Sequence, residues 1–164
     1  MTSRGTLRLL GLAVVPLAAL VLASGAPAAA PPTVIRLVSV TTSAKPTDRP
    51  PKGASTGDTV HETSTLLNQV KQFGKPPQAV VGSDRAVQTL HLGPRSLTID
   101  GVATLPGGTL RFRGKVERYA RGGVVIPVVA GTGRYLGAQG ILWIVAASDQ
   151  RALNVYRLTY ARFA

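Results

Sequence analysis

Cysteine is absent from this 164-residue chain. That excludes disulfides, thiol nucleophiles, zinc–thiolate centres and lipoprotein attachment. Acidic side chains are scarce as well: 7 Asp and Glu stand against 19 Lys and Arg, a formal charge of +12. The two histidines, His61 and His91, have no carboxylate cluster at metal-ligand spacing, so they are read as solvated or satisfied imidazoles and no metal is expected. Serines are plentiful, but none sits in a Gly-x-Ser-x-Gly elbow between a strand and a helix, and a hydrolase triad is unsupported.

What the chain does have, at its start, is a three-part export signal. Arg4 and Arg8 charge the first segment, and Leu9 to Ala23 form an apolar run interrupted by Gly11 and Pro16. Ser24 to Ala30 then supply the small residues a signal peptidase requires, with cleavage expected after Ala28 or Ala30. A membrane anchor needs about 20 apolar residues; this run is shorter and ends in an Ala/Pro stretch. Residues 1–30 are therefore read as a cleaved signal peptide, and residues 31–164 as one secreted, extracellular domain. Without Arg4 and Arg8 the balance is 17 basic against 7 acidic residues. Such a charge suits nucleic acid, anionic lipid, an acidic wall polymer or plain solubility. Export and the lack of an aromatic-plus-basic RNA-reading strand argue against nucleic acid. Solubility is the preferred reading, with weak association with an anionic cell surface behind it.

The rest of the chain reads as strands and turns. Val34 to Thr42 is rich in β-branched residues. Ser43 to Gly57, with three prolines and two glycines, is a long loop expected to be mobile or to lie over a barrel mouth. Further strands are expected over Asp58–Val70, Gln78–Leu92 (bulged near Gly82-Ser83), Ser96–Leu105, Thr109–Tyr119, Val124–Ala130, Gly137–Ala147 and Leu153–Phe163. The fifth alternates cleanly, Leu110, Phe112, Gly114 and Val116 against Arg111, Arg113, Lys115 and Glu117. No window after residue 30 sustains a helical period. Eight consecutive strands with mostly short turns predict an all-β, eight-stranded antiparallel up-and-down barrel, with an open sandwich as the alternative. Trp143 lies in a strand apolar on both faces, so its outer side should be covered, most simply by another subunit.

Gly57-Asp58, Leu105-Pro106-Gly107-Gly108-Thr109 and Gly131-Thr132-Gly133-Arg134-Tyr135-Leu136-Gly137-Ala138-Gln139-Gly140, in that order and spacing, resemble the allene oxide cyclase and dirigent superfamily, most closely its secreted bacterial members. The resemblance covers Val34 to Tyr160. It implies a calycin-like barrel, often trimeric, that needs no cofactor and holds a small apolar or aromatic molecule. Members steer ring closure or radical coupling by restricting conformation. The glycine run is misspaced for a dinucleotide fingerprint and leads into a strand, so nucleotide binding is rejected.

The cyclase site itself does not carry over. Leu37 to Thr42 holds no carboxylate, Ser64 stands where the family has asparagine, its cysteine is missing, and Val116 stands where it has tyrosine. Genuine allene oxide cyclase activity is not expected. The motif register turns Val60, Glu62, Ser64 and Leu66 inward, making Glu62 the candidate acid or base, provided the register is not slipped by one residue. Ser64, Phe112, Val116, Arg118 and Tyr156 complete the candidate ligand-binding set. The expected function is a secreted, cofactor-free binding barrel acting as a dirigent-like template for coupling or cyclisation. The alternative is a non-catalytic envelope protein whose lumen is filled by Leu66, Phe112, Trp143 and Leu158.

Overall fold

The computed structural model of the protein describes residues 31, 33–93, 96–117 and 122–160; the segment read as a signal peptide lies outside them. The described residues form β1 (Val34–Thr47), β2 (Thr59–Asn68), β3 (Val80–His91), β4 (Ser96–Leu105), β5 (Gly108–Glu117), β6 (Val124–Gly131), β7 (Ala138–Ser148) and β8 (Arg151–Tyr160). Each strand pairs antiparallel with the next, and β8 pairs with β1, so the sheet closes into a barrel. Closure removes the unpaired edges an open sandwich would keep.

β1 runs five residues beyond its expected end. A bulge between Thr41 and Ser43 bends it, and Ser43 to Thr47 continue to pair with β2. Pro46 is accommodated because β8 pairs with β1 only as far as Val40; this end of β1 has β2 alone beside it, where a missing N–H costs no ladder bond on the free side. The connecting loop shrinks to residues 48–58 and is fastened by Asp58. The Asp58 carboxylate accepts from the N–H groups of Arg49 (2.9 Å) and Ser55 (2.7 Å) and from Ser55 Oγ (2.8 Å). These bonds, those to the Arg49 and Ser55 N–H groups first, hold its pKa below 3.8. The Gly-Asp pair is thus a structural device. Although residues 53–57 spell Gly-Ala-Ser-Thr-Gly, Ser55 is buried in this network and the chain leads on into β2.

One half of the barrel is filled. Ile35, Leu37, Leu66, Leu110, Leu142, Tyr135 and Tyr156 are fully buried there, each contributing about 1.5–3 kcal/mol from the apolar surface removed from water. The glycine run closes this end. Gly133, at φ 57, opens a 3-10 turn, Gly133–Tyr135, that tucks the Tyr135 ring into the core. The Tyr135 hydroxyl donates to the Pro106 carbonyl at 3.2 Å.

The alternation of β7 puts Leu142 inside and Trp143 outside, so Trp143 does not fill the lumen. Val125, Val129, Ile141 and Trp143 remain exposed on the outer face of β6 and β7, Val125 at 52 % and Trp143 at 37 %.

Candidate functional site: a polar cavity in the open half

The second half of the lumen holds a cavity of about 230 Å³. Its walls come from the inward positions of β1 through β8. Small or polar residues (Ser39, Ser64, Ala86, Ala152 and Asn154) stand where the filled half has Leu and Ile, and they leave space. Phe112 forms an apolar wall with Ile99, Val116 and Ile144. Gly101 is paired with Phe112 across β4 and β5; a Cβ at Gly101 would collide with the Phe112 ring, so this glycine sets where the ring lies. The β5–β6 ladder spans only Leu110–Phe112, with a bulge at Val129. Beyond it Pro127, which has no N–H to offer, packs beside Gly114.

The register of β2 is as expected: Leu66 and Ser64 are buried, and Glu62 lines the cavity. The Glu62 carboxylate accepts from Thr41 Oγ1 at 2.7 Å and from Gln88 Nε2 at 2.8 Å. Ser64 Oγ lies 3.5 Å from Glu62 Oε1. Phe112 and Val116 line the same space. Tyr156 is not a wall residue; it is fully buried in the packing, its hydroxyl without a hydrogen-bond partner. Burial, and then the charge of Asp84, push that hydroxyl well above its ordinary pKa. Arg118 lies outside the described residues.

The residue that sequence reasoning missed is Asp84. It is 8 % exposed and faces Ser64 directly across β2 and β3. Burial pushes its carboxyl up to about 6. A hydrogen bond from Ser64 opposes the shift, the Glu62 charge adds to it, and a hydrogen bond from Ser39 opposes it. A bulge puts Asp84 inside. Leu66 pairs with Gly82 and Leu67 with Val80, so Val81 is the extra residue and points inward on its own. The parity of β3 flips there, and Asp84, Ala86 and Gln88 turn toward the lumen while Ser83 and Arg85 face out. The available signal was the Gly82 bulge combined with Arg85, which is far cheaper to leave in water than to bury.

Beneath the 48–58 loop lies a second cavity of about 370 Å³ that shares Gln88 and Leu97 with the first. A larger concavity, about 810 Å³, sits over the outer face of β3 to β5 around Arg85, Asp100, Arg111 and Arg113. Asp100 pairs there with Arg111 (3.0 Å) and Arg113 (3.6 Å), but these arginines are 53 % and 62 % exposed and solvent screens them. The desolvation that perturbs Asp84 is absent outside. Among the described residues no group of three or more His, Asp and Glu could hold a metal ion, and His91 Nε2 lies 2.9 Å from Thr98 Oγ1.

No protein-family model matches the chain, and no curated protein matches it in sequence. Solved structures do match its fold. A pyocyanin demethylase superposes with a TM-score of 0.60 at 18% identity, over 77% of this chain and 99% of that one. A pterocarpan synthase dirigent protein does so with 0.61 at 15%, over 79% and 88%. The Diels-Alderase AbmU from Streptomyces koyangensis gives 0.60 at 18%, over 78% of this chain and 64% of that one. The protein therefore shares the closed β-barrel fold of these solved structures.

Proposed function

We propose that the open half of this barrel binds a small organic molecule and steers its coupling or cyclisation, with Asp84 as the group that moves a proton. The observation that carries this reading is a buried, titratable carboxyl set into a cavity with apolar walls. Below pH about 6 Asp84 can donate a hydrogen bond or a proton to an oxygen of the bound molecule; above it, it accepts. Phe112, Val116 and Ile144 restrict the molecule's conformation, which lowers the entropic part of the barrier. Glu62, held by Thr41 and Gln88, orients polar groups and fixes the charge next to Asp84. The dirigent and Diels-Alderase neighbours support a template or cyclisation role, since those barrels are named for such chemistry.

The protein is read as secreted, with residues 1–30 removed, and as working without a cofactor. Its exposed Val125, Val129, Ile141 and Trp143 support self-association, as a trimer by resemblance; light scattering showing a monomer would count against that. Mass spectrometry of small molecules co-purifying with the secreted protein is the first test. With a substrate so identified, Asp84→Asn should lower turnover about 10²-fold or more while the molecule still binds. Unchanged turnover would remove Asp84 from the mechanism.

A further inference from the structure

The charged residues described along the cavity are acids: Glu62 and Asp84 on the inner wall, and Glu117, exposed at its edge on the opposite face of β5 from Phe112. They belong to a chain whose formal charge is +12. Asn154 adds a further acceptor. It lines the cavity at 3 % exposure, and its Oδ1 has no hydrogen-bond partner. A buried acceptor left unmade costs about 1–3 kcal/mol. Ser39 and Ser64 have one proton each to give, and Ser64 is shared between the Glu62 and Asp84 carboxylates. The wall therefore presents more acceptor positions than donors, in a space of about 230 Å³, roughly eight liquid-water volumes at about 30 Å³ each.

We infer that the ligand is a compact organic cation, its ammonium group held among Glu62, Asp84 and Asn154 Oδ1 and its hydrocarbon body laid against Phe112, Val116 and Ile144. An ammonium has three N–H donors and no acceptor, which is the complement of this wall. Its charge is matched by carboxylates in a desolvated site, where charge-assisted hydrogen bonds are about twice as strong as neutral ones. Phe112 adds an aromatic surface suited to the cation or to an aromatic body. This inference rests on the reading that the cavity is a ligand site, and it narrows the ligand to one chemical class.

Isothermal titration of the purified protein with phenethylammonium chloride and with 2-phenylethanol, its neutral isostere, tests it. At pH 7.5 the cation should bind about tenfold tighter or more, the equivalent of about 1.4 kcal/mol. The preference should shrink several-fold at pH 5. There Asp84 takes up its proton, while a primary alkylammonium stays charged as a lysine does, with a pKa of about 10.4. Among the described residues, the other titratable groups around the cavity are Glu62 on β2, Glu117 on β5 and Tyr156 on β8; β4 contributes Ile99 and Ala103, which do not titrate. Asp84→Asn should abolish the pH dependence. The pH series on the unaltered protein decides the matter even if that variant fails to fold. Equal binding of the two probes would overturn the cation assignment and leave the ligand site standing. A preference independent of pH would place the cation away from Asp84 and overturn the assignment as well. Failure of both probes to bind would overturn the inference together with the cavity reading.

Discussion

The two halves of this barrel are built from the same eight strands and share one alternation, yet one is solid and the other hollow. In the closed half the inward positions carry Ile35, Leu37, Leu66, Leu110 and Leu158, with Tyr135 folded in from the end. In the open half the same strands carry Ser39, Ser64, Asp84, Ala86 and Asn154. The difference in side-chain volume leaves the cavity, and the difference in polarity gives it chemistry. A closed half that supplies most of the apolar burial lets the open half keep a buried carboxyl and unpaired polar atoms, each of which opposes folding.

The sharpest way to break this division is to cut into the closed half. Leu66→Ala should lower stability by about 2–5 kcal/mol, measured by urea unfolding. If the halves are independent, the variant should keep the ligand affinity of the parent under conditions where it is folded. A comparable loss of affinity would show that the two halves are one unit.

The converse is expected of Asp84. Its pKa rises from 3.8 to about 6 on folding, so the folded state binds the proton more tightly than the unfolded chain. Stability linked to this group is fully present below pH 3.8 and is lost as pH rises through about 6. At about 1.4 kcal/mol per unit the loss approaches 3 kcal/mol. Asp84→Asn should therefore stabilise the protein by up to about 3 kcal/mol at pH 7.5 and change little at pH 4. Paired thermal melts at the two pH values check it, and a variant less stable at pH 7.5 would contradict it.

Filling the hollow half should cost little stability but remove function. Ala86→Leu adds carbon to a wall of the cavity, and its effect on unfolding should stay within about 1.5 kcal/mol, whereas ligand titration should show binding lost. The smallest effect is expected at the loop. Asp58 has its pKa lowered by the N–H groups it accepts from, so its contribution is present above pH 3.8 and fades as pH falls through its lowered folded value. Asp58→Asn should reduce thermal stability slightly at pH 7, with the difference from the parent disappearing in strong acid.

Much of the architecture was legible along the chain. Ser96–Leu105 is legible to the residue, because Gly93-Pro94 precedes it and Pro106-Gly107-Gly108 follows it. The inward register of Glu62 and Ser64 follows from the motif register of β2, and that of Phe112 and Val116 from the regular alternation of β5. The end of β1 was misplaced because prolines in a sequence read as loop, whereas Pro46 sits in a strand with β2 alone beside it. Tyr156 lies in the packing and not on the cavity wall, because alternation shows which face a side chain occupies but not how deep it lies.

Asp84 was hidden for a different reason. A strand's parity can be read from its own residues only while its ladder is regular, and one extra residue at Val81 reverses it. A bulge is expected near Gly82-Ser83, but its exact place, and so which side chains it turns inward, is fixed by the pairing of β2 with β3.

Local rules of alternation and turn chemistry thus dictated the number, order and direction of the strands, since these depend on residues two to five positions apart. The hollow half and the perturbed Asp84 carboxyl on its wall awaited closure of the barrel. A cavity is the volume left over when side chains from eight strands meet, and a pKa shift is set by the water that meeting excludes.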